Sequence, residues 1–538
     1  MNIKKELEKI ILEAIKKSGY NIDSIIVEKP KEKSNGDFST SIAMKIAKTL
    51  KINPKEIAEN IINNIQNNNI VEKLEIALPG FINIYINKKE LLKGINEVIE
   101  QENNYGKSNI GNNSKINVEF VSANPTGILH LGTARGAAFG DNLCRILKFT
   151  GYIVDREYYI NDAGNQIKNL GVSVKIRYEN ICGIEKEMPS EGYFGKEIIK
   201  IAENIYNKYG KSKIEEKGNF FEKYGVETLL NIIKEDLENF RVSFDIWSSE
   251  TEIRNSGKIE ESLKILEEKG NIYEKENAKW LMTTKYGDDK DRVIVKTDGE
   301  YTYLVPDIAY HLDKINRGYD LLIDVLGSDH HGYISRLKAA IESLGFEKEK
   351  IEIKLLQMVK LIRDGEEVKM SKRTGNAVTI RELLEEVGTD AARYFFASRA
   401  LETQMDFDIT LAQKKTNENP VYYIQYAHAR ICSILNEKEI KKIKEYKTID
   451  SIYAYDLINK IYDFKEIVEL SAIKRAPHLI TNYVYELATL FHVYYTNEKV
   501  LKDEDENYTQ ERMNLIKCVK ITIKNALNLI GVTSPEKM

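Results

Sequence analysis

The chain has 538 residues, more than one hydrophobic core normally organises, so several domains are expected. Apolar residues make up 42% and charged residues 30%, which is typical of a globular protein, and no apolar run is long enough to predict a membrane-spanning helix. The net charge of −4 excludes a general attraction for nucleic acid, so an RNA partner would need local basic patches. The four cysteines form no CxxC pair, so neither protein-bound zinc nor a disulfide framework is predicted.

Residues 1–20 predict an amphipathic helix. Ile3, Leu7, Ile11 and Ile15 recur at helical spacing. Several glutamates and the lack of arginine argue against a transit peptide, and no apolar stretch suits a secretion signal. A cytoplasmic location is therefore expected.

A strand and a turn follow the N-terminal region. Ile116, Val118 and Phe120 alternate with polar neighbours, which favours a strand. The sequence Asn124–Gly127 cannot continue that strand, because proline lacks a donor and glycine favours a turn.

A helix is predicted from about His130 to Thr150, with Gly151 as its C-terminal stop and a second strand at Tyr152–Ile160. A helix that begins after a strand offers free N–H groups and a dipole, which favour phosphate. His130 can donate to phosphate oxygens there, and Gly132 leaves room for a base or ribose. The alternative is an ordinary surface or core histidine.

A second chemical element lies at residues 358–372. Asp364-Gly365 predicts a hairpin turn between short strands, and Lys369 and Lys372 follow in a loop. The functional interpretation is a mobile loop whose lysines neutralise departing pyrophosphate. The alternative is a solvated basic loop, which is the commoner meaning of a bare Lys-Met-Ser-Lys.

Polar, breaker-rich stretches at 103–114 and 414–420 mark domain boundaries. Residues 169–291 are charged and mostly helical in pattern, and they separate two segments with α/β-like patterning. We interpret that region as an insertion. From Val421 onward the pattern is helical, without strand alternation.

The two elements together resemble the HIGH and KMSKS signatures of class I aminoacyl-tRNA synthetases, here HLGT at 130–133 and KMSKR at 369–373. Their surroundings are similar to the arginyl-tRNA synthetase family in particular, and the resemblance covers essentially the whole chain. The stretches that carry it are KPKEKSNGDFSTSIAMKIAK, VEFVSANPTG, REYYINDAGNQ, VPDIAYHLDK, GSDHHGY, KMSKRTGNAVTIRELL, NPVYYIQYAHARICSIL and GVTSPEKM.

The resemblance implies an α/β fold with a Rossmann-like parallel-sheet catalytic domain, an α+β N-terminal domain and an all-α C-terminal anticodon-binding domain. The expected division of the chain is a tRNA-elbow (D-loop) binding domain at 1–103, a catalytic domain at 114–385 with a helical insertion at about 170–290, a connecting segment at 386–416 and an anticodon-binding domain at 417–538.

The implied reaction has two steps. ATP and L-arginine form arginyl-adenylate, with Mg²⁺ carried by ATP, and the 2′-hydroxyl of tRNA(Arg) then takes the arginyl group. The first step is expected to need tRNA. The implied partners are tRNA(Arg), arginine and ATP, without a membrane, and the chain is expected to be a monomer.

The resemblance also implies site residues. The catalytic residues would be His130, Thr133, Lys369 and Lys372; ATP would also meet Gly127, Gly132, Met370 and Ser371. Arginine would be bound by Glu119, Ser122, Asn124, Tyr303, Asp307 and His330, and tRNA by Lys29, Lys31, Tyr422, Tyr426 and Met538. No metal-binding residue is expected.

Two carboxylates compete for the guanidinium group. A buried Glu119 without a partner would be costly, which favours a cationic ligand. Asp307 is the preferred candidate, because a guanidinium pairs bidentately with a carboxylate. Alternatively, Asp307 is the N-cap of a helix at Ile308–Ile315.

Two positions depart from the family signatures. Thr133 stands where the second histidine is expected; its hydroxyl can donate to phosphate but carries no charge. Arg373 replaces a serine and adds a cation. Two other functions stay open: a class I synthetase for another amino acid, and a degenerate tRNA-binding module without catalysis. A cluster of lysines at 441, 442, 444 and 447 near Tyr446 is a further candidate for RNA contact.

Overall fold

The computed structural model describes residues 3–368 and 378–538. The N-terminal part is α+β, with an antiparallel sheet in the order β1-β3-β2. The predicted amphipathic helix is confirmed, because Ile3, Leu7, Ile11 and Ile15 are buried. The elements of the N-terminal part are α1 (Ile3–Lys17), β1 (Phe38–Thr40), α2 (Ile42–Leu50), α3 (Pro54–Asn63), β2 (Val71–Ala77), β3 (Phe81–Ile86) and α4 (Lys88–Gln101).

A parallel sheet of five strands forms the centre of the described chain, in the order β11-β10-β4-β5-β6. Its strands are β4 (Lys115–Glu119), β5 (Ile153–Ile160), β6 (Ile246–Ser249), β10 (Leu321–Gly327) and β11 (Ile351–Leu356). From β4 the chain proceeds outward through β5 to β6, and later places β10 on the other side of β4. The strand order therefore reverses between β4 and β10, where ligands of such sheets bind.

The strand β4 and the helix that follows it match the predicted pattern. β4 ends at Glu119, and both of its faces are buried, since Asn117 is covered as fully as Val118. Helix α5 (Leu131–Phe149) follows, and Gly151 takes a positive φ of 88° directly after it, as predicted. Helix α5 also approaches the strand closely at Gly140, where a Cβ would lie 2.1 Å from the Phe120 ring.

The region predicted as a helical insertion contains α6 (Asn165–Ile181), α7 (Lys196–Tyr209) and α8 (Phe220–Asn239), which share a small hydrophobic core of their own. The structure differs from the prediction after α8. There β6 pairs with β5 in the central sheet, so this part of 170–290 completes the sheet. The charged sequence concealed β6, because the strand has only four residues and is half-buried.

Further elements surround the carboxyl edge of the sheet. Asp364 and Gly365, both with positive φ, form the predicted hairpin turn between β12 and β13. The remaining elements of this part are α9 (Glu250–Asn255), α10 (Lys258–Glu268), β7 (Ile272–Lys275), β8 (Ala278–Leu281), β9 (Arg292–Val295), α11 (Leu304–Asn316), α12 (Ile334–Ser343), β12 (Val359–Arg363), β13 (Glu366–Glu367), α13 (Ile380–Val387), α14 (Thr389–Ala397), β14 (Met405–Asp408) and α15 (Ile409–Gln413).

The C-terminal part is all-α, as predicted: α16 (Pro420–Leu435), α17 (Ile452–Lys474), α18 (His478–Asn497) and α19 (Glu506–Leu529). The N-terminal part rests on α17, where the Tyr462 hydroxyl donates to the Leu91 carbonyl (2.7 Å) and Lys29 binds Asp463 (2.8 Å). In the part of the chain that the structure describes, no helix combines the length and apolarity needed to cross a membrane.

One fully buried arginine joins the catalytic and C-terminal parts. The Arg393 guanidinium on α14 uses all its N–H groups at once. It donates to the carbonyls of Phe240, Arg241 and Ile530 and to the side chains of Asp141 and Asn142 on α5, at 2.5–3.3 Å. Gly531 lies against it with φ of 65°, and a Cβ at Gly531 would come within 2.3 Å of the guanidinium.

The replacement Gly531→Ala is therefore expected to lower the free energy of unfolding by ~1–3 kcal/mol, because Arg393 cannot move without losing buried hydrogen bonds. Gly270→Ala is the matched control, since Gly270 has a similar φ of 67° but nothing within 4 Å of a Cβ. Urea unfolding of both variants measures the difference. Equal destabilisation would show that backbone strain alone, and not the contact with Arg393, makes glycine necessary.

Candidate functional site

The predicted site residues converge on the carboxyl edge of the central sheet, beside the reversal point between β4 and β10. Glu119 is the last residue of β4, and the segment 120–130 leads from it to the start of α5. Helix α11 crosses the same edge and carries Asp307 in its first turn. This arrangement brings a helix N-terminus and two carboxylates to one end of the sheet.

The backbone directly after β4 is strained. Val121 and Ser122 both have positive φ, 71° and 36°, a conformation that is rare for a β-branched residue. The Ser122 hydroxyl donates to Glu119 Oε1 (2.9 Å) and accepts from the Tyr159 backbone N–H (3.1 Å). Such strain persists only where the surroundings hold it, and it is common at functional sites.

The buried carboxylate of Glu119 already has a cationic partner. The ammonium group of Lys314 lies between Glu119 and Asp324, as an ion pair with Glu119 and 3.0 Å from Asp324 Oδ1. Glu119 and Asp324 are register partners on adjacent strands, so Lys314 relieves a repulsion between two like charges. The burial of Glu119 therefore does not by itself indicate a cationic ligand. The prediction that a buried Glu119 would need a cation from the substrate is wrong, because Lys314 supplies the cation.

Asp307 differs from Glu119 in having no cationic partner among the ion pairs of the described residues. The Tyr333 hydroxyl hydrogen-bonds to its Oδ2. Burial raises the pKa of Asp307 to about 6. The alternative prediction of an N-cap at Asp307 is wrong, because α11 begins at Leu304 and Tyr303 takes the N-cap position.

The N-terminus of α5 is open to solvent. His130 takes the N-cap position and is exposed, and no acidic residue lies in the first turn of α5. The Thr133 hydroxyl is 3.4 Å from His130 Nδ1. A Cβ at Gly132 would be 3.4 Å from the same ring, so glycine keeps space beside the imidazole. These features suit an anion that meets backbone N–H groups and two side-chain donors.

Part of the predicted ATP site lies outside the described residues, namely Lys369, Met370, Ser371 and Lys372. The described residues on either side of this segment pair with the backbone of other residues. The Val368 N–H donates to the Leu361 carbonyl (2.8 Å), and Thr379 pairs with His130 in an antiparallel bridge. Thr379 also caps α13 together with Glu382.

The other predicted arginine-binding residues Asn124, Tyr303 and His330 face solvent. Asn124 is exposed, and its amide donates to Gln166 (2.7 Å). Tyr303 is 81% exposed at the start of α11. His330 lies in a short 3-10 helix at Ser328–Tyr333, with its ring exposed. Gly127 lies in the turn before α5, with open space around it.

The lysines predicted to contact RNA lie in two places, at positions 29 and 31 and around Tyr446. Lys29 is bound to Asp463, whereas Lys31 is exposed. Tyr446 is buried, and its hydroxyl donates to Asn96 (2.9 Å), so it belongs to the core. Three lysines near Tyr446 are ion-paired as well: Lys441 with Glu506, Lys442 with Glu100, and Lys447 with Glu445.

Aromatic rings on α16 and α18 form a stacked column in which Tyr426 is exposed and the other two rings are half-buried. The rings of Tyr422 and Tyr426 stack 6.3 Å apart at 8°, and His492 stacks on Tyr426 at 6.1 Å and 12°. Tyr426 is 39% exposed. Met538 is exposed too. Flat, exposed rings of this kind can stack on unpaired bases.

Sequence reasoning missed the buried partners of the carboxylates: His311, Lys314, Asp324 and Tyr333. The spacing of Asp307, His311 and Lys314 puts them on one helix face, which was a detectable signal. The strand register that brings Asp324 beside Glu119 was not detectable. Within the described residues, no group of three or more His, Cys, Asp or Glu side chains is placed to hold a metal ion.

The sheet, its reversal point and the open start of α5 are those of a class I aminoacyl-tRNA synthetase. The family model "tRNA synthetases class I (R), catalytic domain" matches residues 94–413, "Arginyl tRNA synthetase N terminal domain" matches 3–86, and "DALR anticodon binding domain" matches 424–538. The chain belongs to the arginyl-tRNA synthetase family.

Full-length relatives agree with these matches. The chain is 51% identical to an arginine–tRNA ligase of Bacillus subtilis, over 100% of both chains. It is 50% identical to arginine–tRNA ligase 1 of Halalkalibacterium halodurans, over 100% of this chain and 99% of the relative. The arginyl-tRNA synthetase structure of Thermus thermophilus shares the fold, with a TM-score of 0.78 at 21% identity over 99% of this chain and 100% of that chain.

The neighbouring Thr133 hydroxyl and His130 ring predict that Thr133 takes part in phosphate binding. Thr133→Val removes the donor at nearly constant volume, and we expect it to slow arginine-dependent ATP–pyrophosphate exchange roughly tenfold. Thr133→Ser keeps a hydroxyl and should retain most of the rate. An unchanged rate in the valine variant would remove Thr133 from the phosphate site.

Proposed function

We propose that the chain, which charges tRNA(Arg) with arginine as a member of its family, does so in two steps at the carboxyl edge of its central sheet. The arginine carboxylate attacks the α-phosphorus of ATP, and pyrophosphate leaves. The 2′-hydroxyl of the terminal adenosine of tRNA then attacks the arginyl carbonyl, and AMP leaves. No covalent enzyme intermediate is needed, so the residues of the site bind, orient and stabilise charge.

Asp307 is the proposed acceptor of the substrate's guanidinium group. This proposal depends on one observation, the different partners of the two candidate carboxylates. Of the two candidate carboxylates, Glu119 is already neutralised by Lys314, whereas Asp307 is hydrogen-bonded by the neutral Tyr333 hydroxyl. A carboxylate held away from bulk water binds a guanidinium strongly, through two parallel hydrogen bonds. Glu119 then supports the pocket, with Ser122 holding its other oxygen.

The N-terminus of α5 is the proposed phosphate site. His130 and Thr133 donate to phosphate oxygens, while Gly127 and Gly132 leave space for the nucleotide. Mg²⁺ arrives with ATP as part of the substrate and screens the phosphate charge.

Lys369 and Lys372, with Met370 and Ser371 between them, are proposed to meet the leaving pyrophosphate. Two facts support this role. The lysines carry the opposite charge to pyrophosphate, and Thr379, which follows them in the sequence, pairs with His130 at the start of α5.

The remaining arginine contacts are proposed from their positions around the pocket. Asn124, at the strained exit of β4, and His330, in the 3-10 helix that carries Tyr333, would hold the α-amino and carboxylate ends. Tyr303 lies one turn before Asp307, and its exposed ring can cover the aliphatic part of a bound arginine.

For tRNA, we propose that residues 417–538 read the anticodon loop through the Tyr422–Tyr426–His492 column, with Met538 nearby in the same part of the chain. Residues 1–103 would grip the tRNA elbow, where Lys31 is exposed and Lys29 would have to leave Asp463. Residues 114–385 would hold the catalytic site, and 386–416 would connect it to the helices.

We further propose that the chain acts as a monomer in the cytoplasm. One chain supplies each side chain of the site described above, and its four cysteines are free thiols, which suits a reducing compartment.

ATP–pyrophosphate exchange with a panel of amino acids, with and without tRNA(Arg), tests the function. We expect exchange with arginine alone, and only when tRNA is present. Exchange with another amino acid would identify a class I synthetase of different specificity. Binding of tRNA without exchange for any amino acid would identify a non-catalytic tRNA-binding module.

Asp307→Asn removes the proposed guanidinium acceptor at constant size. The KM for arginine should rise on the order of 100-fold, because a charged hydrogen-bonded pair is lost. The KM for ATP should stay near its original value. Asp313→Asn is the matched control, since Asp313 lies on the same helix but binds Lys258 and Arg317.

The pKa of about 6 for Asp307 adds a pH test. Below that pH the carboxyl group is neutral, so kcat/KM for arginine should fall as the pH drops through about 6. This acidic limb should be absent in Asp307→Asn. If the limb persists in that variant, another group controls arginine binding.

A further inference from the structure

Two side chains on the inner face of α11 form one buried charge network with the central sheet. His311 and Lys314 face Glu119 on β4 and Asp324 on β10, and Asp307 precedes them at helical spacing, with its backbone carbonyl against His311. His311 is 5% exposed and Lys314 is fully buried. Lys314 bridges Glu119 and Asp324, and His311 contacts the other oxygen of Asp324.

The two nitrogens of the His311 ring both face acceptors. Nε2 lies 2.8 Å from Asp324 Oδ2, and Nδ1 lies 2.7 Å from the backbone carbonyl oxygen of Asp307. A carbonyl oxygen only accepts, and so does an ionised carboxylate. The Lys314 ammonium keeps Asp324 ionised, because it holds the pKa of that carboxyl well below its usual range.

A neutral imidazole cannot satisfy both contacts. It carries one N–H, so its bare nitrogen would face an oxygen lone pair at hydrogen-bond distance in a buried site. Two N–H groups remove the conflict. Burial by itself would lower the pKa of His311, but the Asp324 carboxylate outweighs burial and the pKa is raised.

The charges of this network then balance except at one position. Lys314 and His311 supply two positive charges, and Glu119 and Asp324 supply two negative ones. Asp307 is left as the carboxylate without a cationic partner among the described residues. A single cationic group of the substrate would therefore complete the balance.

We propose that His311 is a permanently protonated positioning residue, whose imidazolium neutralises Asp324 and holds the first turn of α11, so that Asp307 alone meets the substrate's cation. This inference rests on the proposed role of Asp307 as the guanidinium acceptor. It deepens that role, since it assigns the selection of a single cationic group to residues that do not touch the substrate.

Other charged groups around Asp307 and His311 lie outside this network. Arg336 lies over the Tyr333 ring, 5.3 Å from its centre, and forms no ion pair with Asp307 among the described residues. Glu157 is paired with Arg317, and Glu250 with Arg254. The groups that face the two residues from the surrounding elements are Glu119 on β4, Glu157 and Tyr159 on β5, Glu250 on α9, Tyr310 and Lys314 on α11, Asp324 on β10, Tyr333 in the 3-10 helix and Arg336 on α12.

His311→Gln tests the charge, because glutamine keeps an N–H donor but cannot be protonated. Removal of the nearby cation should raise the pKa of Asp307. The acidic limb of kcat/KM for arginine, measured by exchange with tRNA present, should move up by about one pH unit. The limb should stay in place in the control His428→Gln, since His428 is buried in α16 and binds the Pro535 carbonyl. An unmoved limb in His311→Gln would overturn the proposal.

Nitrogen NMR of the intact chain labelled at histidine tests the protonation state directly, even if His311→Gln fails to fold. The chain has seven histidines, so the His311 signal can be assigned by elimination from variants of the other six. At about pH 8 an ordinary histidine is neutral, whereas both His311 ring nitrogens should have the chemical shift of imidazolium.

A neutral His311 at that pH would overturn the proposal. A protonated His311 in a chain whose acidic limb does not depend on Asp307 would support the network and refute only the guanidinium assignment.

Discussion

The catalytic edge of the sheet depends on the two ion pairs of the Lys314 ammonium group. Glu119 and Asp324 lie side by side on neighbouring strands, and two buried carboxylates in register would repel each other. Lys314 comes from α11 and binds both, so it joins the helix to the sheet as well as neutralising the pair. Loss of one member of such a buried set leaves an unpaired charge, which lowers the free energy of unfolding by about 3–5 kcal/mol. Because α11 is held there, Asp307 is presented at the reversal point of the sheet.

A second buried cation links this edge to the rest of the chain. Arg393 ties α5, the helix capped by His130, to the end of α8 and to the carbonyl of Ile530 after α19. Each contact replaces water by a fixed acceptor, so the guanidinium specifies where these elements meet. The catalytic part and the C-terminal helices therefore share one buried junction, and Gly531 is needed because no side chain fits beside it.

Local signals in the sequence predicted local structure well. Gly151 marked the end of α5, Asp364-Gly365 marked a hairpin, and the spacing of Ile3, Leu7, Ile11 and Ile15 marked the first helix. Such features depend on backbone conformation and periodicity within a few residues. The four-residue strand β6 escaped detection, because its place in the sheet depends on pairing with β5 and not on its own pattern. Tyr446 looked like part of a basic RNA-binding cluster, yet it packs in the core against Asn96.

The sequence by itself determined the family, the three-part organisation and the residue types of the site, because these are written in contiguous motifs such as residues 118–133. Only the tertiary structure decided which carboxylate lacks a cationic partner among the described residues. Glu119 and Asp307 are both carboxylic acids, and what distinguishes their surroundings is Lys314, which is distant in sequence and reaches Glu119 only after the strands have taken their register. Charge balance in a buried site is a sum over neighbours, and neighbours are known only once the chain has folded.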